Sequence, residues 1–368
     1  MVTTRYQHNE ITIFQYVFFI VGAQIGIGIL SLPAEVAKGS GTDGWIAIIM
    51  GGMLSIIASV VIINIMEQHP EDTIFDLLPR YFGKWLGKLF SLAFSVYAAL
   101  AATTVVFTAI HLVQVWILPQ TSNYWIMILF MIPGFLAARN GVRILGRYAE
   151  IVFYMTLWMP ILIALPTKDG HLLHLLPVIK EGWLPIIKTV KMTILSFLGF
   201  ELAFVLYPFL KEKHLAKKGI IIANVISLSA FVFVTIVSFI FYSPDEITQY
   251  VWPTLSLLKT IEFPFMERFE IIFLAAYLFV LSTTGVPYIF TAAFGISHVL
   301  DQVDHVRVLV VGVGMYIVVA FLYNPSFSDL QTFSEWWGKT GTLVGYFFPI
   351  GLWLYMKIYQ RLRGGKPL

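Results

Sequence analysis

The chain has 368 residues, of which 58% are hydrophobic and 12% charged, with 31 Phe, 17 Tyr and 10 Trp. That is too apolar for a water-soluble domain, and the charges are bunched between long apolar runs, so the chain reads as an all-α polytopic membrane protein; a membrane barrel would show short alternating segments. The absence of cysteine excludes disulfides, thiolate metal sites and cysteine nucleophiles, and a net charge of +3 carried by dispersed basic residues gives no sign of nucleic-acid binding.

Ten spans are expected, at about 11–37, 44–66, 85–118, 123–137, 146–165, 191–210, 219–242, 269–299, 306–323 and 340–359, together forming a single integral membrane domain. The polar N-terminus, Met1 to Glu10, precedes an apolar run that is too long for a removed signal peptide and has no small-residue cleavage site. The first span is therefore expected to stay in the mature protein. Most Lys and Arg fall in the connections on the side that holds both termini, most clearly in the Arg139, Arg143, Arg147 turn and the Lys357 to Lys366 tail. By the positive-inside rule, both termini are cytoplasmic.

The first span carries Gly22-Ala23-Gln24-Ile25-Gly26-Ile27-Gly28 near its middle. Each glycine weakens a helix by about 1 kcal/mol relative to alanine, and freed backbone at membrane depth is tolerated only where protein or a water-filled cavity surrounds it. Two readings follow: a break at Gly26 to Gly28 facing a buried site, or a Gly22-x-x-x-Gly26 face packed against a neighbouring helix. After the second span, Asp72 to Leu78 with Tyr81, Phe82 and Trp85 reads as a short amphipathic helix on the cytoplasmic interface. On the third span Tyr97, Thr104 and His111 are spaced by seven and share a stripe.

The second half repeats these features. The sixth span has its own mid-span glycine in Ser196-Phe197-Leu198-Gly199-Phe200-Glu201, and Gly26 and Gly199 are 173 residues apart. The connections after the second and seventh spans, from His69 and from Ser243, are both long, and the spans that follow, from Trp85 and from Phe269, are the longest. Five spans per half is an odd number, so the second repeat (about 191–359) must lie upside down relative to the first (about 11–165), as in transporters whose paired interrupted helices form a midplane site. Trp252 to Lys259 reads as a short outer helix capping that site.

Glu201 lies at membrane depth, where a carboxylate is costly unless it faces a cavity, pairs or is protonated. It is either a proton-coupling group, an ammonium partner or a cation ligand, or else a structural carboxylate hydrogen-bonded to the unwound backbone and nearby hydroxyls. In the eighth span, Thr284 and Tyr288 share a face that can line a cavity; Ser282 and Thr283 point elsewhere and can equally bond to their own helix. There is no nucleophile, base and orienter set, no phosphate loop and no paired metal motif, so neither an enzyme nor a cofactor is expected.

Gly26-Ile27-Gly28-Ile29-Leu30-x-Leu-Pro33 and Ser196-Phe197-x-Gly199-Phe200-Glu201 resemble the two interrupted helices of the amino acid–polyamine–organocation superfamily, which has the leucine-transporter fold. The ten-span length, the Gly-Ala-Gln-Ile-Gly-Ile-Gly opening and Pro208-Phe209-Leu210 resemble the B subunit of nutrient germinant receptors of endospore-forming bacteria. The resemblance implies a sensor in the spore inner membrane. It would bind a small germinant, often an amino acid, and work with an A-type membrane subunit and a C-type lipoprotein subunit. It places the ligand against Gly26, Ile27 and Gly28 of the first span, Phe197, Leu198 and Gly199 of the sixth, and Thr284 with Tyr288 of the eighth; Gln24, Tyr97, Thr104 and Phe200 are further candidate ligand contacts. Some proton-coupled relatives place a lysine in the fifth span; here that span has none within the membrane, which leaves Glu201, Ser282 and Thr283 as coupling or gating candidates. Phe197, Phe200 and Tyr288 would favour a small or branched side chain. The alternative function is a proton- or sodium-coupled amino acid transporter.

Overall fold

A computed structural model describes residues 9–261, 268–302 and 304–362. The polar segment before residue 9 and the basic residues Arg363 and Lys366 lie outside them. The first span is two helices, α1 (Ile13–Gln24) and α2 (Gly28–Ser40), separated at residues 25–27. α1 starts at a capping box in which Thr12 and Gln15 each satisfy the other's backbone N–H. α3 (Gly44–Met66) is the second span and α4 (Ile74–Phe82) the expected amphipathic helix, capped by Thr73 and Asp76. The third and fourth spans are α5 (Lys84–Trp116) and α6 (Asn123–Ala138). The fifth, expected to be continuous, is α7 (Val142–Met155) and α8 (Met159–Ala164), interrupted just before Pro160.

The sixth span pairs α9 (Trp183–Phe197) with a 3-10 turn and α10 (Ala203–Leu206), and bends by 50° at the break. The chain continues through α11 (Ala216–Phe241), the short outer helix α12 (Pro253–Leu258), α13 (Phe269–Val299) and α14 (Val306–Leu322). The tenth span joins α15 (Phe327–Gly341) and α16 (Phe348–Leu362) through a π-helical turn at Thr342–Phe347. Among the described residues, by length and apolarity alone, five helices can cross a bilayer, or six when the bent pair counts as one span. The remaining spans are short or built from two pieces.

Two boundaries differ from the reading of the sequence. α9 begins eight residues before Lys191, because Lys188 and Lys191 sit on its exposed face, where long stems let ammonium groups reach polar surroundings. The tenth span begins at Phe327 rather than Thr340, its start fixed by a Ser326 and Asp329 capping box; Asp329, Glu335 and Lys339 depress the hydropathy of a segment that is nonetheless helical.

The start of the first span runs beside the end of the sixth: Ile11 N–H donates to Phe209 O (2.9 Å) and Lys211 N–H to Ile11 O (3.1 Å). The same face holds α4, whose Tyr81 backbone carbonyl accepts from Tyr355 of α16, and ion pairs of Lys217 with Glu67 and Lys213 with Glu71. At this corner Arg80 pairs with Asp72 (2.5 Å) and donates to His69 Nδ1, so Nε2–H faces the Tyr81 hydroxyl at 2.8 Å. Burial first, and the Arg80 guanidinium next, hold the His69 pKa below its ordinary value, against an opposing pull from Asp72.

With the folded value below the unfolded one, the unfolded chain takes up a proton first as pH falls, and stability is lost as pH drops below about 6.5. Between about pH 7.5 and about 5.5, the melting temperature of the wild type should fall more than that of His69→Gln; parallel curves would contradict this.

Candidate functional site

Each break frees backbone groups that must find partners inside the bilayer. Gly22 O loses its usual helical donor because Gly26 N–H turns to Gln24 O instead (2.8 Å), and the Thr284 hydroxyl takes that place at 2.7 Å. Gly26 O accepts from the Tyr277 hydroxyl at 2.5 Å. Ile29 O lies four residues before Pro33, which has no N–H, and the Thr254 hydroxyl of α12 donates to it at 2.9 Å. Phe197 O, at the end of α9, accepts from Gln24 Nε2 at 3.0 Å. α13 and α12 thus close the first break, and Gln24 at the edge of the first break closes the second.

The two breaks meet at Gly199. Its φ of +128° lies where side-chain-bearing residues are strained, and a Cβ there would stand 2.7 Å from the backbone carbonyl carbon of Ala23. Gly26 and Gly22 press on α13, with a Cβ at either meeting Thr284 Oγ1 at 2.9 Å or Thr283 Oγ1 at 2.8 Å. Gly28 stands against Ser196 in the same way. The Gly22-x-x-x-Gly26 face is therefore both a packing face and the approach to a break.

Glu201 is fully buried. One carboxylate oxygen accepts from Tyr97 (2.6 Å) and Tyr288 (2.5 Å), the other from Gly199 N–H (2.7 Å). Trp337 Nε1 approaches the Tyr97 hydroxyl at 3.4 Å, so α5, α9, α13 and α15 converge on this carboxylate. Of the readings open for Glu201, this geometry matches the carboxylate that holds an unwound backbone. Gln24 centres a second network. Besides Phe197 O, its side chain bonds Asn224 Oδ1 (3.0 Å) and Ser227 (2.7 Å), and Asn224 reaches Ser55 (2.5 Å) and Ser59 (3.2 Å).

Of the remaining candidate residues, Ile27 lies in the first break. Leu198 packs on Gly341 and Gly345 of the tenth span, and Phe200 faces Tyr346 with ring centres 5.3 Å apart. Phe197 meets Phe231 at 5.2 Å. The Thr104 hydroxyl bonds its own helix at Leu100 O, the Thr283 hydroxyl bonds Val280 O, and Ser282 reaches Tyr148 of α7 at 2.5 Å. Phe197, Phe200 and Tyr288 are thus closed against protein neighbours. A cavity of about 380 Å³ lies instead on the far side of the first break, where α1 and α2 face α7, α8, α11, α12 and α13; among the candidate residues it touches Thr283.

Tyr277, Asn224, Thr254 and Trp337 join the site although they are not among the candidate residues of the sequence. Tyr277 stands seven residues before Thr284 on the same helical stripe, and Asn224 is a lone amide in an apolar span, so both carried a visible signal.

The pattern of the family described as spore germination protein (Spore_permease) matches residues 10–328. The chain is 27% identical over 365 residues to the spore germination protein GerQB of Bacillus cereus, covering 98% of each chain. It is 28% identical over 298 residues to YndE of Bacillus subtilis (strain 168), covering 80% of this chain and 82% of that one. Among solved structures, a Na+-coupled sialic acid symporter in a substrate-bound outward-open state superposes with a TM-score of 0.66 at 13% identity, covering 94% of this chain and 80% of the other. Mhp1, a nucleobase-cation-symport-1 family transporter in a closed conformation, gives 0.52 at 14% identity, covering 91% and 76%. The fold is that of an integral membrane protein of ten spans with interrupted first and sixth helices, the leucine-transporter fold, and the chain belongs to the spore germination protein family.

Proposed function

We propose that the chain is the B-type membrane subunit of a spore germinant receptor, which binds a small nutrient of the amino acid class where the two breaks meet and signals to partner subunits. The observation that carries this reading is that the two breaks face each other and their freed backbone groups are held by single side chains, Gln24 of the first span on Phe197 O and Thr284 and Tyr277 of α13 on Gly22 O and Gly26 O. The positive end of α2 suits a carboxylate, and the carbonyl ends of α1 and α9 suit an ammonium. A ligand that replaced those side-chain contacts would favour one arrangement of the breaks, and only such differential affinity can shift the equilibrium. Gly26, Ile27, Gly28, Leu198 and Gly199 are the proposed contacts, with Tyr97, Thr104, Phe197, Phe200 and Tyr288 around them and Glu201, Ser282 and Thr283 as coupling or gating residues. The proposed setting is the spore inner membrane, with both termini cytoplasmic and an A-type membrane subunit and a C-type lipoprotein subunit as partners.

A coupled amino acid transporter is the second reading, favoured by the symporter folds that superpose on this chain. Reconstitution into liposomes separates the two. A receptor binds ligand with no uptake above empty vesicles, whether or not a proton or sodium gradient is imposed. Gradient-dependent uptake that is lost in Glu201→Gln would replace the receptor with the transporter.

A further inference from the structure

The cavity of about 380 Å³ beside the first break lies among the spans and the outer helix α12, and among the described residues no charged side chain lines it. Its polar side chains are Thr156, Ser229, Thr254, Tyr277 and Thr283, and each hydroxyl is already committed. Thr156 donates to Val152 O (2.9 Å), Ser229 to Val225 O (2.8 Å) and Thr283 to Val280 O (2.7 Å) on their own helices. Thr254 and Tyr277 hold Ile29 O and Gly26 O. An amino acid placed there would leave its carboxylate without a donor, at a desolvation cost no apolar contact offsets. The occupant must be apolar.

The mouth shows where it comes from. Leu157, Pro160 and Ser229 line the cavity and are exposed, and they continue outward into the apolar faces of α7, α8 and α11 at Ile151, Ile161, Ile222 and Val225. In an integral membrane protein those faces meet lipid tails. We infer that the cavity is a lateral acyl-chain site, filled by one tail of a bilayer lipid that enters between the α7–α8 turn and α11. A tail seated there packs on Ile25 and on the Tyr277 ring, whose hydroxyl holds Gly26 O, so its presence bears directly on the geometry of the first break. This site does not depend on what binds between the breaks.

The test is photolabelling of the full chain in nanodiscs of phosphatidylcholine carrying a diazirine on one acyl chain, with labelled residues mapped by mass spectrometry. Label is expected on the buried wall residues Val152, Val234 and Val280 as well as on the outward-facing Ile222 and Phe279. Ala230→Phe, which fills the cavity from α11, should abolish label at the three valines and leave it at Ile222 and Phe279. Leu157→Trp, which blocks the mouth at an exposed position, should do the same without touching the core. Wild-type label confined to Ile222 and Phe279 would overturn the site. So would inner label that survives Leu157→Trp, or inner label from a free phenyl diazirine but not from the lipid-borne one, which would assign the cavity to a small molecule.

Discussion

Gly199→Ala is expected to destabilise the protein by about 3 kcal/mol or more, enough to deplete the folded form at growth temperature. Two costs combine. A φ of +128° is a conformation alanine rarely adopts, and the added Cβ would lie 2.7 Å from the Ala23 carbonyl carbon and 2.9 Å from both Ala23 O and Gln24 N. Those atoms are backbone, so relief requires α1 to move, and Gln24 would carry Asn224 and Ser227 with it. Thermal unfolding of the detergent-purified protein, followed by monodispersity, reads the effect. A melting temperature equal to that of the wild type would mean that the two breaks are not in contact as described.

Glu201→Leu is expected to cost a similar amount, about 3 to 6 kcal/mol, because it strands three donors at once: Gly199 N–H and the Tyr97 and Tyr288 hydroxyls. Burial of the leucine side chain offsets part of this. Glu201→Gln keeps a carbonyl for the two phenols but aims an amide N–H₂ at Gly199 N–H, so it should fall between wild type and Glu201→Leu. The order wild type, Gln, Leu in melting temperature is the signature of a carboxylate that holds the break. Equal stability of all three would remove Glu201 from the architecture and leave it a purely chemical role.

The organisation of the fold was legible because its causes are local. Glycine clusters interrupt apolar runs at Gly26 and Gly199, their spacing of 173 residues exposes the repeat, and an odd number of spans per half dictates the inversion. The hydrogen bond from Gln24 to Phe197 joins two positions at that same spacing, so the repeat relation is written into a contact. What the sequence left open depends on which way a helix is turned. Thr104 shares a stripe with Tyr97, yet its hydroxyl closes on its own backbone while Tyr97 reaches Glu201. α9 and α15 start earlier than hydropathy indicates because Lys188, Lys191, Asp329 and Glu335 lower hydropathy without breaking the helix. The lateral cavity is invisible in any single span, since α1, α2, α7, α8, α11, α12 and α13 and the kink before Pro160 together make it.

Whether a small ligand binds where the two breaks meet is read by calorimetric titration of amino acids, nucleosides and sugars into the purified wild type, Gly26→Ala and Thr284→Leu. Alanine at 26 drives a Cβ to 2.9 Å from Thr284 Oγ1, and leucine at 284 removes the donor to Gly22 O. One small ligand is expected to bind the wild type and to lose at least about tenfold in affinity, about 1.4 kcal/mol, in each variant. Binding that survives both substitutions unchanged would place the ligand elsewhere and contradict the reading of the broken helices as its site.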